Sequence, residues 1–167
     1  PRKSRETLNS NYFHVIVQGI EKKCIFEEKK SKEKYLNKLI EKSVDCNIKL
    51  LAYCIMDNHA HMLTYTENIN LLSKWMQCSN VSFALYYNNL NKRAGYVFRN
   101  RYKSVPIANE AHLHTCLAYI HLNPVNAKIS PLPELYEFSS YNDFIKNTGI
   151  VSNEILGLLN YNSNKYI

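Results

Sequence analysis

The feature that most constrains this chain is a nearly unbroken apolar run, Ile48 to Met56, followed at once by Asp57-Asn58 and then His59-Ala60-His61-Met62-Leu63. A short apolar run without polar alternation fits a strand covered on both faces, at the centre of a sheet. Asp57-Asn58 marks a tight turn, and the strand after it runs to about Thr66. Side chains alternate along a strand, so His59 and His61 share one face while Ala60 turns into the core on the other. Two imidazoles converging from a rigid central strand can chelate a metal. With six histidines in the chain, one such pair also arises by chance, and alone it is a weak signal.

The other segments are organised around this hairpin. Residues 1–10 form a basic, polar arm. Tyr12 to Gln18 is rich in aromatic and β-branched residues and reads as a first strand, with Phe13, Val15 and Val17 on one face and His14, Ile16 and Gln18 on the other. Glu21 to Glu28 is a loop. From about Ser31 to Cys46 the period is helical, with Leu36, Leu39, Ile40 and Val44 as the stripe and Lys32, Lys34, Lys38, Glu41 and Lys42 on a solvated face.

Ile69 to Leu90 is a second helix, with Leu72, Met76, Ser79, Phe83, Tyr86 and Leu90 on its stripe. Tyr96 to Phe98 and Tyr102 to Ile107 are extended. A third helix starts after Asn109, a good N-cap, and closes near Leu122 because Asn123 precedes a proline. Residues 125–148 read as irregular, and Ser152 to Asn160 as a short helix. Strand, helix, strand, strand, helix, strand, helix gives an α+β fold: a ferredoxin-like or RRM-like antiparallel sheet with two helices on one face. The third helix is free to lie across the other face. The expected division is one domain over 1–148 and a C-terminal extension over 149–167.

With 167 residues the chain is long enough for one domain with a real core. No apolar run approaches a membrane span and no signal peptide is visible, so a soluble, cytoplasmic protein without a membrane partner is expected. Five cysteines, an odd number with no C-x-x-C pair, argue against a disulfide framework or a structural zinc site. The net charge is +7, and no Asp or Glu occurs from Asn68 to Asn109. The same stretch holds Lys74, Lys92, Arg93, Arg99, Arg101 and Lys103, interleaved with Trp75, Phe83, Tyr86, Tyr87, Tyr96, Phe98 and Tyr102. Cations for phosphates beside flat rings for bases is the composition of a single-strand nucleic-acid surface. A basic solvated face over core aromatics is the plainer alternative.

Were His59 and His61 to hold a metal, it would polarise a phosphate oxygen, and something must attack. Tyr119 and Asn123, four residues apart, share one face of the third helix, beside the apolar stripe of Leu113, Cys116, Leu117 and Ile120. A phenol there can act as nucleophile while the Asn carbonyl completes the coordination. Most helix tyrosines are packing residues, however, and this chain has 13. His121 lies about 200° round the helix from Tyr119 and points away. His14 reads as a structural strand residue able to face the site. For DNA contact the candidates are Arg99, Arg101 and Lys103, placed by alternation on one side of an extended segment with Tyr102 on the other. Arg2, Lys3 and Arg5 in the basic arm are further candidates.

Four segments in this order resemble the single-tyrosine transposases of the HUH superfamily, especially the branch related to REP-associated tyrosine transposases. They are Met56 to Leu63, Gly95 to Ser104, Tyr119 to Ala127 and Phe138 to Tyr141, and the similarity spans roughly residues 11–144. Asp57 stands where a proline is common, and Asn126 and Lys128 where Arg and Gly are frequent.

The resemblance implies a metal-dependent endonuclease and strand transferase acting on single-stranded DNA with hairpin or palindromic ends. It implies that His59, His61 and Asn123 bind Mg²⁺ or Mn²⁺, that Tyr119 is the nucleophile, and that a 5′-phosphotyrosine forms. A monomer is favoured over a homodimer. The competing readings are a non-catalytic RRM-like single-strand binding module and a domesticated relative that still cleaves but no longer mobilises its own DNA.

Overall fold

The computed structural model describes residues 10–146. Four strands, β1 (Tyr12–Gln18), β2 (Lys49–Ile55), β3 (His59–Tyr65) and β4 (Lys103–Pro106), form one antiparallel sheet in the order β2-β3-β1-β4. Helices α1 (Lys29–Asp45) and α2 (Ile69–Leu90) pack against each other, and α3 (Glu110–Asn126) packs against β2 and β3. This is the expected ferredoxin-like arrangement. Phe13, Val15 and Val17 on β1, with Ala60 and Met62 on β3, are buried. The indole of Trp75 on α2 is fully buried and donates to the Leu39 carbonyl of α1 (2.9 Å), which locks the two helices together.

Several local expectations needed tertiary correction. On α1, Val44 is 80% exposed, while Tyr35 and Lys32 are buried. The inner ridge is Ser31, Tyr35, Leu39 and Ser43, an i+4 series that uses small polar residues where the helix meets its neighbours. The loop after β1 contains a 3-10 turn (Ile20–Lys22) and buries Ile25 and Phe26. The Phe26 ring lies 4.7 Å from Tyr35 and 5.0 Å from Phe83, so this loop is stapled to the core. Leu90, placed on the stripe of α2, is half exposed. Around 96–98, only an isolated bridge between Gly19 and Phe98 forms.

The third helix does not stop before its proline. Pro124 lies inside α3, which continues to Asn126, with Ala127 N–H bonding the Asn123 carbonyl (3.0 Å). Proline this close to a helix end removes one internal bond, and the buried stripe through Ile120 and Asn123 outweighs that loss. Beyond α3 the chain is more ordered than expected, with a 3-10 turn (Pro133–Leu135) and α4 (Tyr141–Lys146). Between these, Ile55 N–H bonds the Phe138 carbonyl (2.9 Å), Ser140 N–H bonds the Tyr53 carbonyl (2.9 Å), and Cys54 bridges Ser139. Residues 138–140 are thus sewn along the outer edge of β2. The expected basic arm with Arg2, Lys3 and Arg5, the short helix at 152–160 and the extension at 149–167 lie outside the described residues.

His121 points away from Tyr119, as its helical angle predicts. It is buried against Tyr141 and Phe144, with Nε2 2.9 Å from the Ser140 hydroxyl. Burial pushes its imidazole down to about 3 from an ordinary 6.5. The unfolded chain therefore takes up a proton near 6.5 that the folded chain refuses. Stability from this group is complete above that pH and falls as pH drops towards 3, by at most about 1.4 kcal/mol per pH unit. Urea titrations from pH 7 to 4.5 should show declining stability, with a slope shallower by about one proton in His121→Gln.

Candidate active site

Because α3 lies across β2 and β3, its buried stripe of Leu113, Cys116, Leu117 and Ile120 seals most of the face that carries the histidines. Tyr119 stands at the rim of that stripe, 47% exposed, and Asn123 one turn later is buried. The Tyr119 ring sits 5.3 Å from that of His61 and almost perpendicular to it. The Asn123 side chain lies within hydrogen-bonding reach of His59, and the His59 and His61 rings are 4.9 Å apart. The helix register and the strand register thus bring together all four residues singled out in the sequence.

A fifth residue joins them. His14 on β1 lies diagonally across the strand pair from His61, with its Nε2 2.9 Å from His61 Nδ1. Its ring is 5.8 Å from Tyr119. The alternation of Phe13, Val15 and Val17 already placed His14 on the opposite face from the core. The expected ferredoxin-like sheet also allows His14 to face the site from the neighbouring strand, although a structural role is the favoured reading.

Desolvation dominates the electrostatics. It lowers His61 to about 3, with His14 and His59 nearby adding to the effect, and His14 to about 4, with help from Lys103 and His112. His59 is lowered by burial, and its hydrogen bond to Asn123 opposes the shift. All three imidazoles are therefore neutral at neutral pH, the form that offers a lone pair to a cation. His59 Nδ1 donates to Asn58 Oδ1 (2.5 Å), which puts the lone pair of its neutral ring on Nε2, and His61 Nδ1 lies 2.9 Å from His14 Nε2, where one of the two rings donates to the other.

Among the described residues, no three or more His, Cys, Asp or Glu are grouped to hold a metal. The available donor set is two imidazoles plus the Asn123 amide, a mixed nitrogen and oxygen set that fits a divalent ion with open positions.

Asp57, just before β3, is engaged elsewhere. Its carboxylate pairs with Lys32 Nζ (2.6 Å), whose side chain is only 8% exposed. The lysine also reaches the Glu27 carbonyl and lies 5.7 Å from the Phe138 ring. Lys32 is therefore no solvated charge but a strut between α1, the turn of the β2–β3 hairpin and the 138–140 segment.

The basic track differs from a single alternating edge. Lys103 is exposed at the start of β4 opposite Ile16, close enough to depress His14. Arg99 and Arg101 are exposed but precede the strand in a bent segment. Arg99 N–H bonds the Gln18 carbonyl (2.8 Å), and its guanidinium reaches Gln18 Oε1 (3.4 Å). Tyr102 turns the other way, as expected, within 3.2 Å of the Ser73 hydroxyl on α2. Of the aromatic residues in the acid-free stretch, Trp75 and Phe83 are core, whereas Tyr96 is 82% exposed.

Residues 7–123 match the sequence profile of the family described as "Transposase IS200 like". The chain belongs to the IS200-like transposase family. The fold of this transposase is similar to that of a REP-associated tyrosine transposase solved with a REP hairpin, at 13% identity and a TM-score of 0.73 over 91% of this chain and 90% of that one. A putative transposase from Deinococcus radiodurans R1 is similar at 13% identity and a TM-score of 0.50, over 72% of this chain and 95% of that one. No curated protein sequence matches significantly. No helix among the described residues of the transposase is long and apolar enough to cross a membrane.

The strut gives a direct expectation. Asp57→Ala leaves a nearly buried ammonium without its carboxylate and should lower stability by about 1–3 kcal/mol, discounted from the fully buried case because Asp57 is partly solvated. Adding Lys32→Met should restore part of that loss in urea unfolding.

Proposed function

We propose that this transposase cleaves and rejoins single-stranded DNA with Tyr119 as nucleophile and His59, His61 and Asn123 as the ligands of Mg²⁺ or Mn²⁺. The observation that carries the reading is the half-exposed Tyr119 ring standing against His61, at the mouth of a pair of neutral, pre-oriented imidazoles. A bound divalent cation supplies Lewis-acid polarisation of a non-bridging oxygen of the scissile phosphate.

The residues of the chain do the rest. Tyr119 Oη attacks phosphorus; the new O–P bond forms as the bond to O3′ breaks, and the proton lost by the phenol ends on the departing 3′-hydroxyl. The 5′-phosphotyrosine keeps the energy of the broken bond, so a 3′-hydroxyl can reverse the step and complete strand transfer. α3 holds the phenol in place, and the buried stripe beneath it limits competing water. His14 holds the His61 ring in place through the contact between Nε2 and Nδ1.

Arg99, Arg101 and Lys103, flanking the β1 edge beside this face, supply cations for the strand's phosphates. The contact of Tyr119 with His61 of its own chain supports cleavage in cis by a monomer. Hairpin-bearing strands are the proposed substrate, in keeping with the REP hairpin bound by the similar structure.

Incubation with hairpin-containing single strands and Mg²⁺ or Mn²⁺ should give a covalent protein–DNA band on a denaturing gel that disappears in Tyr119→Phe. Tight binding with no adduct on any hairpin would instead favour a non-catalytic binding module. His59→Ala or His61→Ala should reduce cleavage by about 100-fold or more while leaving salt-dependent binding largely intact; equal loss of both would make the histidines structural. His14→Ala should weaken Mn²⁺ binding by roughly 10–100-fold in calorimetry, with DNA affinity little changed.

A further inference from the structure

Between α2 and the segment 95–102 lies a cleft of about 820 Å³, to which the reading above assigns only the guanidinium groups of Arg99 and Arg101 at its wall. Its walls include Gln77, Asn80 and Val81 from α2 and Tyr96, Arg99 and Arg101 from the facing segment, and no Asp or Glu lines it. We propose that this cleft receives one unpaired base of the DNA strand. The inference rests on the single-strand reading above and adds a subsite to it.

Three observations carry it. The first is a braced aromatic ring. Tyr96 is 82% exposed, yet its backbone is held from both sides. Arg93 donates to the Tyr96 carbonyl (3.0 Å), Asn88 donates to the Gly95 carbonyl (2.9 Å), and Ile20 N–H bonds the Val97 carbonyl (2.9 Å). Gly95 itself has φ +103°, a conformation that side chains rarely adopt. The loop thus spends a glycine and three hydrogen bonds to present a large ring to solvent, which is a stacking platform and not a packing residue.

The second is an oriented amide. Asn80 Oδ1 accepts from the buried Tyr35 hydroxyl (2.8 Å), so its N–H donors are left for the cleft, where a base edge offers acceptors. The third is continuity with the histidines. Arg99 is tied by backbone and side chain to Gln18, and Gln18 stands directly opposite His59 in the β1–β3 ladder. Gln18 and Arg99 thus continue the row that starts at His59 across the end of the sheet, and Arg99 also lines the cleft. Apolar walls, amide donors, a stacking ring and guanidinium groups suit a single unstacked nucleotide, and a duplex cannot enter.

The test uses the full chain carrying Tyr119→Phe in EDTA, so that neither cleavage nor metal enters. The probe is a pool of short random-sequence single strands with 5-iodouracil in place of thymine, irradiated and mapped by mass spectrometry. Crosslinks should fall on Tyr96. Tyr96→Ala, and Val81→Trp as a plug for the cleft, should each weaken binding of the pool by about fivefold or more with melting temperature unchanged.

Crosslinks confined to other segments, or a folded Val81→Trp that binds like its parent, would overturn the proposal. So would a Val81→Trp that leaves DNA affinity alone but alters sedimentation, since the cleft would then be a protein interface. Adduct formation by the unsubstituted chain reads the catalytic proposal separately, so the two can fail independently.

Discussion

The pairing of β1 with β3 decides what stands on the open face of the sheet. Its register sets Ile16 opposite His61 and Gln18 opposite His59, and a slip of one residue would turn His14 and its neighbours into the helical core. That register is enforced from the other side, where Phe13, Val15 and Val17 are buried beside Ala60 and Met62. The apolar face thus positions the polar one. The imidazoles need no flexible loop to meet: they are diagonal neighbours on a packed sheet, and α3 is laid over them by its own apolar stripe.

Burial at this face is a compromise between packing and solvation. Desolvation holds His14 and His61 far below their ordinary titration range and keeps them uncharged. A charged His14 beside Lys103 would be repelled and poorly hydrated, so the site is electrostatically quiet until a cation or a phosphate arrives. Tyr119, by contrast, stays at the rim, open to solvent beside the exposed Lys103.

Much of this was legible because it depends on local period. The apolar run of β2, the H-x-H alternation and the i to i+4 spacing of Tyr119 and Asn123 each fix a face without knowledge of a partner. Features that depend on distant segments were not legible. Lys32 reads as a solvated charge until Asp57 folds against it, and Val44 completes an apolar stripe that the structure leaves in water. Pro124 obeys a local rule for ending helices that a buried stripe overrides. The alternation along β1 places His14 on the right face of a neighbouring strand, but nothing in the sequence shows that its ring meets His61. The bend at 99–101 replaces an alternation that the sequence supported equally well, because Arg99 bonds Gln18 across the gap.

The segment sewn along β2 has a consequence for assembly. At one border of the sheet, residues 138–140 take up backbone groups of Tyr53 and Ile55 at the end of β2. The opposite border, β4, is four residues long, begins at an exposed lysine and ends at a proline. Both are devices that discourage strand addition. Among the described residues, the backbone still open to a second copy is the stretch of β2 before Tyr53, so a sheet shared between two copies would have to start there and stop where the 138–140 segment begins.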